Sequence, residues 1–390
     1  MARSSPAQPP SRALLSVTYA ANFGVLGAVT PYLALALREA GLRGAPLMVA
    51  MAATPLVRLV AGPIWGFLAD RFRIAPHLLS LGALLGAVGA ALLAWDVSLA
   101  LPGVLLMSLG RTPVDTMLEG ITLGALGADQ LAYGRVRLWG SAGFMLAGLV
   151  GGALLVEGRF TALQLGAALS VVVLGLGLCL PRGEAFQPTP IGPALRALVR
   201  HPRVPALLIA AALHFLSHAG ATYFLAVHLE AHGAPASWTG VVVGAGVAVE
   251  IAVMANARWL LRRFPPERIF VAAIAFGLLR WLLNAALTDP ASVLLIQLSH
   301  GITFGAWWLA AVNLLTRWAP PEVRTSAISL LGAAVGGAGN LLGMIVGSYM
   351  IEYQTTEQLF QVMAAFSLLA LPFGWWACGR PEGDAAAAAR

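Results

Sequence analysis

Twelve apolar runs follow one another along this chain, at about 12–37, 45–69, 75–95, 97–125, 136–157, 160–181, 204–230, 236–260, 267–288, 290–317, 325–351 and 356–379. Each has about twenty residues or more, enough for a helix to cross a hydrocarbon core about 30 Å thick. Lipid offers no partner to an exposed backbone amide or carbonyl, so every run has to be helical if it spans. The expected class is therefore an all-α membrane protein with twelve transmembrane helices, called here spans one to twelve. Composition agrees: 59% of the 390 residues are hydrophobic and 11% charged, against about 25% charged in a soluble domain. Mean hydropathy is +0.80. The first run is too long for a signal-peptide core and lacks a convincing cleavage site, so it reads as a span.

Arginine sets the expected orientation. The chain has 24 basic residues, all arginine. With the amino terminus inside, eighteen of them fall in cytoplasmic segments, three (Arg38, Arg43, Arg159) in outer loops and three (Arg58, Arg111, Arg280) within spans. That is a strong positive-inside bias, and it puts both termini in the cytoplasm. The same distribution accounts for the net charge of +7 without nucleic acid.

Six spans, a Pro-rich linker and six more spans point to a duplicated chain. The expected division is a six-helix bundle at 1–180, a cytoplasmic linker at 181–203, a second six-helix bundle at 204–380 and a cytoplasmic tail at 381–390. The 194–200 piece of the linker reads as a short basic helix on the membrane surface. Spans five and eleven share a pattern, opening on arginine and carrying small residues at close spacing: Gly140, Gly143, Gly148, Gly151 and Gly152 in one, Gly332, Gly336, Gly339, Gly343 and Gly347 in the other. Small residues let helices approach closely.

Charges inside the membrane are costly, at least about 2.5–3.5 kcal/mol each at mid-bilayer, and so face a cavity or a partner. Arg111, Asp115 and Glu119 repeat every four residues and share a face of span four. Arg58 lies in span two, Glu250 in span eight, Arg280 in span nine, and His300 with Thr303 in span ten. Span seven holds His214, His218 and His228. Such groups either form fixed ion pairs that set packing or take part in function. The two cysteines, Cys179 and Cys378, give neither a metal set nor a disulfide framework. No His-Glu-x-x-His, nucleophile elbow or Walker loop is present. No catalytic residue, metal or cofactor is therefore expected, and an intramembrane enzyme or channel is the least favoured reading.

Two resemblances sharpen this reading. Gly66, Asp70 and Arg71, within Gly-Pro-Ile-Trp-Gly-Phe-Leu-Ala-Asp-Arg-Phe-Arg at 62–73, resemble the Gly-x-x-x-Asp-Arg-x-Gly loop between helices two and three of the major facilitator superfamily, with Arg73 replacing the last glycine. The resemblance implies two pseudo-symmetric six-helix halves and a cytoplasmic gate at Gly66, Asp70 and Arg71. In that gate an aspartate pairs with arginine and faces a helix amino terminus, whose dipole favours a carboxylate. Residues 133–144 (Tyr-Gly-Arg-Val-Arg-Leu-Trp-Gly-Ser-Ala-Gly-Phe), Val249-Glu250, Leu279-Arg280-Trp281 and 297–305 (Gln-Leu-Ser-His-Gly-Ile-Thr-Phe-Gly) look like the corresponding segments of phenylpropionate permease-like and lactose permease-like proton symporters. By that resemblance Arg137 contacts solute, while Glu250, Arg280 and His300 occupy positions of the proton-coupling set, with Asp115 the candidate acid of span four. Thr303 stands where the lactose permease has its proton-carrying glutamate, so the proton site has to be another group.

The expected function is import of a small organic solute, such as an aromatic acid, nucleoside or oligosaccharide, by proton symport. The alternative is an efflux antiporter of the same fold, although Gly148 is followed by Leu149 and not by the proline that marks that group. Expected solute contacts are Asn22, Arg137, Phe144, His218, Thr303 and Trp307. Expected partners are the solute, a proton and the lipid bilayer, with the chain a monomer in the bacterial inner membrane.

Overall fold

The computed structural model describes residues 10–72, 74–126, 130–154, 160–181, 196, 198–235, 237–319 and 324–379. The two tails, most of the linker, Arg73 and the side chain of Asp70 lie outside the described residues. The described chain is helical and contains no strand. Eleven of its helices are long and apolar enough to cross a membrane. The helix in the fourth position, Ala100–Leu126, runs unbroken for 27 residues, but Arg111, Asp115 and Glu119 lower its apolarity and it is not among the eleven.

Several runs differ from their sequence outline. The second helix, outlined to residue 69, runs on to Phe72 within Gly44–Phe72, so the segment that resembles an interhelical loop is helical, and the next helix begins at Ala75. Span five starts earlier than expected, at Gln130, so Tyr133, Arg135 and Arg137 belong to the membrane helix Gln130–Leu154. Span one breaks into Arg12–Val29 and Leu33–Glu39, and span seven into Val204–Tyr223 and Leu225–Ala231. Both short helices end alike. The Gly41 and Leu42 amides donate to the Arg38 and Leu37 carbonyls, and the Gly233 and Ala234 amides donate to those of Glu230 and Leu229. This is the Schellman closure. It requires a left-handed residue, supplied by Gly41 at φ 84° and Gly233 at φ 77°. Spans ten and eleven each contain a π-helical segment, Gly301–Ala306 and Ala333–Gly339.

The chain divides into two compact units, Met1–Pro188 with Ala236–Gly244, and Thr189–Pro235 with Ala245–Arg390. In the first unit span one packs on spans five and six, span three on spans four and six, and span two on span four. Its core gathers Leu15, Tyr19, Leu79, Leu118, Val136 and Val173. In the second unit span seven packs on spans eleven and twelve, and span nine on spans ten and twelve. Its core gathers Leu207, Ala210, Phe270, Ile274, Trp307 and Leu314. Four of these five pairings recur in the second unit, shifted by six spans.

The glycines of spans five and eleven serve these pairings. A Cβ on Gly143 would strike the Ala20 backbone, one on Gly27 the Phe144 backbone, and one on Gly343 the Ala219 Cβ at 2.6 Å and the Leu216 carbonyl at 2.8 Å. Here the helices touch backbone to backbone. Gly332 and Gly336, by contrast, face open space.

Candidate functional site

The second unit holds a polar network in an apolar interior. Arg280, on the ninth helix Pro266–Ala286, is 3% exposed. Its Nη1 donates to the Thr303 hydroxyl at 2.7 Å and to His300 Nδ1 at 3.2 Å. Its Nη2 donates to the Gln297 side-chain oxygen Oε1. Gln297 Nε2 donates to Asn284 Oδ1 at 3.3 Å, and Asn284 Nδ2 donates to the Arg280 carbonyl at 2.9 Å, one helical turn on. The guanidinium also lies 4.6 Å from the Trp281 ring centre. All these acceptors are neutral. Among the described residues Arg280 forms no ion pair, and its Nε has no hydrogen-bond partner.

Glu250 reaches this cation through an intermediary. Its carboxylate stands 3.2 Å from His300 Nε2, while the other imidazole nitrogen faces Arg280. A guanidinium only donates, so Nδ1 has to be the bare, accepting nitrogen. The proton of a neutral ring is then on Nε2, directed at the carboxylate. Glu250, His300 and Arg280 form a line in which the imidazole both donates and accepts. Glu250 and Arg280 are thus joined through His300. Phe304 stacks on His300 at 5.1 Å and 11°.

Span seven closes the site from another side. His214 Nε2 lies 2.8 Å from the Thr303 carbonyl, and His218 Nδ1 lies 2.9 Å from the His214 carbonyl. A carbonyl only accepts, so both facing nitrogens carry protons. His218 Nε2 and His214 Nδ1 are left buried without a partner. His218 meets Trp281 edge-on at 5.1 Å.

The first unit holds a separate network. Arg111 donates to Asp115 Oδ1 at 2.6 Å, to Asn22 Oδ1 at 2.6 Å and to the Asn22 carbonyl at 3.0 Å. Asn22 Nδ2 returns a bond to Asp115 Oδ1 at 3.0 Å, which closes a triangle. Arg58, half exposed, approaches the other carboxylate oxygen at 3.6 Å. Glu119 accepts from the Tyr133 hydroxyl and, at 3.5 Å, from Tyr19. Arg137 lies over the Phe23 ring at 4.1 Å and over Tyr19 at 5.9 Å.

Two structural units with matching helix pairings, each enclosing a charged network, can be set beside known proteins. The family description "MFS_1 like family" matches residues 13–362. The chain belongs to the MFS_1 like family. A maltose permease of Geobacillus stearothermophilus is 28% identical over 335 residues, covering 85% of each chain. A probable 3-phenylpropionic acid transporter of Escherichia coli K12 is 28% identical over 248 residues, 62% of this chain and 64% of that one. Among solved structures, the nucleoside transporter NupG superposes with TM-score 0.81 at 17% identity, covering 95% of this chain and 99% of that one. As a member of the MFS_1 like family the chain is a multi-pass membrane transporter of major facilitator fold, not an enzyme.

The other expected site residues fall in different places. Asn22 and Asp115 join the first network, and Arg137 lies beside it on aromatic rings. Phe144 meets Gly27 through its backbone. Thr303 is fully buried and bonded to Arg280; Trp307 is fully buried in the second core. Of the gate residues, Gly66 has open space around it and Arg71 lies over the neighbouring Phe72 ring at 5.6 Å. Contributors outside the expected set are Gln297, Asn284, Phe304, Trp281 and His214. The sequence does carry a signal for Asn284, an amide four residues after a buried arginine and so on the same helical face.

Proposed function

We propose that this MFS_1 like transporter imports a small organic solute by proton symport, through alternating access, with Glu250 as the proton carrier and His300 and Arg280 as its partners. One observation carries the reading: a buried carboxylate is joined through a single imidazole to a buried guanidinium whose other acceptors are neutral. Burial favours the uncharged form of an acid, and a neighbouring cation favours the charged form. An acid under both influences changes protonation when water access or the cation's position changes. A proton arriving at Glu250 removes the charge that orients His300, and the imidazole in turn holds Arg280. Thr303 accepts from the arginine and leaves Glu250 to carry the proton.

The solute class is drawn from the relatives, a maltose permease, a probable 3-phenylpropionic acid transporter and a nucleoside transporter. A sugar, aromatic acid or nucleoside is the proposal for this chain. Asn22, Arg137, Phe144, His218 and the tenth span are its contacts in this reading, and Gly66, Asp70 and Arg71 form the cytoplasmic gate. In this reading the protein works as a monomer in the inner membrane of a bacterium, with both termini inside. Uptake of radiolabelled maltose, 3-phenylpropionate and uridine into proteoliposomes tests the reading. One of them is expected to accumulate above equilibrium only with an imposed inward proton gradient. Equal accumulation with and without the gradient contradicts it.

A further inference from the structure

We infer that His214, on span seven, is a positioning residue for the Arg280–His300 site, acting through the π-helical turn of span ten. This rests on the coupling role proposed for that site. In an unbroken α-helix the Trp307 amide would bond to the carbonyl four residues back, that of Thr303. It reaches instead to the carbonyls of Ile302 and Phe304. The Thr303 carbonyl, which the Trp307 amide does not reach, accepts from His214 Nε2 at 2.8 Å. Thr303 thus bonds at two points: its carbonyl to span seven and its hydroxyl to Arg280 at 2.7 Å.

Extra residues in π turns often mark functional sites. Here the turn spans Gly301–Ala306, directly after His300. A passed-over carbonyl in an apolar interior needs a donor. Without one, the turn can recover its bonds by reverting to α geometry, which rotates Thr303 and His300 relative to Arg280. His214 is the donor that removes this option. Its ring is fully buried and packs on Trp307 at 4.9 Å. Room for it comes from Gly277 on span nine, where an added Cβ would lie 3.0 Å from His214 Cε1 and 3.4 Å from Nδ1. The charged and titratable groups around the turn are Glu250 from span eight, Arg280 from span nine, and His214 and His218 from span seven. Shape alone would be met by any side chain of this size; the Thr303 carbonyl requires an N–H.

Imidazole nitrogen NMR tests the inference on the full-length protein, labelled with 15N-histidine and held in lipid nanodiscs. Seven histidines give signals, and His300→Asn identifies that of His300. The wild type is expected to show His300 as a single neutral form, protonated at Nε2 and bare at Nδ1. His214→Leu is expected to lose that single-form signature, and His214→Gln, which keeps an N–H donor, to retain it. Gly277→Ala keeps the His214 side chain but pushes its ring aside, and is expected to behave like His214→Leu. An unchanged His300 signal in both His214→Leu and Gly277→Ala overturns the inference, as does a His214→Gln protein that loses the signature. Because this readout needs no transported solute, a chain without proton coupling and a turn without His214 support give different results.

Discussion

Arg280 carries a charge into an interior where a donor needs an acceptor, and its two Nη groups find three. Removing one acceptor leaves a buried donor unpaired, at a cost of about 1–3 kcal/mol. Thr303→Val keeps the shape and removes the hydroxyl, so it is expected to lower the melting temperature in detergent. Thr316→Val, whose hydroxyl bonds only to its own helix at Val312 and Asn313, is expected to change it far less. Equal shifts in the two would show that the Arg280–Thr303 bond adds nothing. Glu250→Gln removes the proposed proton carrier: accumulation driven by a pH gradient is expected to vanish while exchange of internal for external solute persists. A Glu250→Gln protein that still concentrates solute would move the assignment to Asp115. At this scale the sequence revealed Glu250, Arg280 and His300 because charged and titratable groups are rare in apolar runs. Gln297 and Phe304 escaped because an amide or a ring in such a run has many ordinary explanations. The relay order was hidden too, since spacing along three helices says nothing of which imidazole nitrogen faces which partner.

The carboxy-terminal ends of spans one and seven show how a helix is stopped by one backbone angle. Gly41 and Gly233 adopt a left-handed conformation that costs an L-residue roughly 1–2 kcal/mol. Gly233→Ala is expected to destabilise by about that much, read as a lower melting temperature, whereas Gly332→Ala, facing open space within a helix, is expected to be neutral or slightly stabilising. At Gly27 the objection is steric, and Gly27→Ala is expected to cost about 1–3 kcal/mol because the contact is the Phe144 backbone. The all-helical course of the apolar runs was legible, since hydropathy measures what lipid requires. The π turns at 301–306 and 333–339 were not. Local sequence does not announce a skipped carbonyl, which becomes stable only when another helix supplies a donor, as His214 does. The helical course of 70–72 was hidden because the charges of Asp70 and Arg71 end the apolar run, while a helix continues readily into charged residues at its end.

For the whole molecule, duplication is the organising fact. Span one pairs with five and six as seven pairs with eleven and twelve; span three pairs with four and six as nine pairs with ten and twelve. Glycine patterns in spans five and eleven foretold that repeat, and membership of the MFS_1 like family agrees with it. The polar networks break the symmetry. Arg111, Asp115 and Asn22 close a compact triangle in the first unit, whereas Glu250, His300 and Arg280 form an open line in the second. The line is the better candidate for a changing protonation state, because its cation has only neutral acceptors besides the relay. Topology has its own check: a reporter active only outside the cytoplasm, fused after Arg390, is expected to stay silent, and activity would overturn the arginine count. Coupling is tested most directly by following external pH in weakly buffered proteoliposomes as solute is added. For whichever of maltose, 3-phenylpropionate or uridine is transported, the wild type is predicted to draw in protons, seen as a transient rise in external pH that is absent from Glu250→Gln. Solute entry by the wild type with no accompanying proton movement would contradict the account.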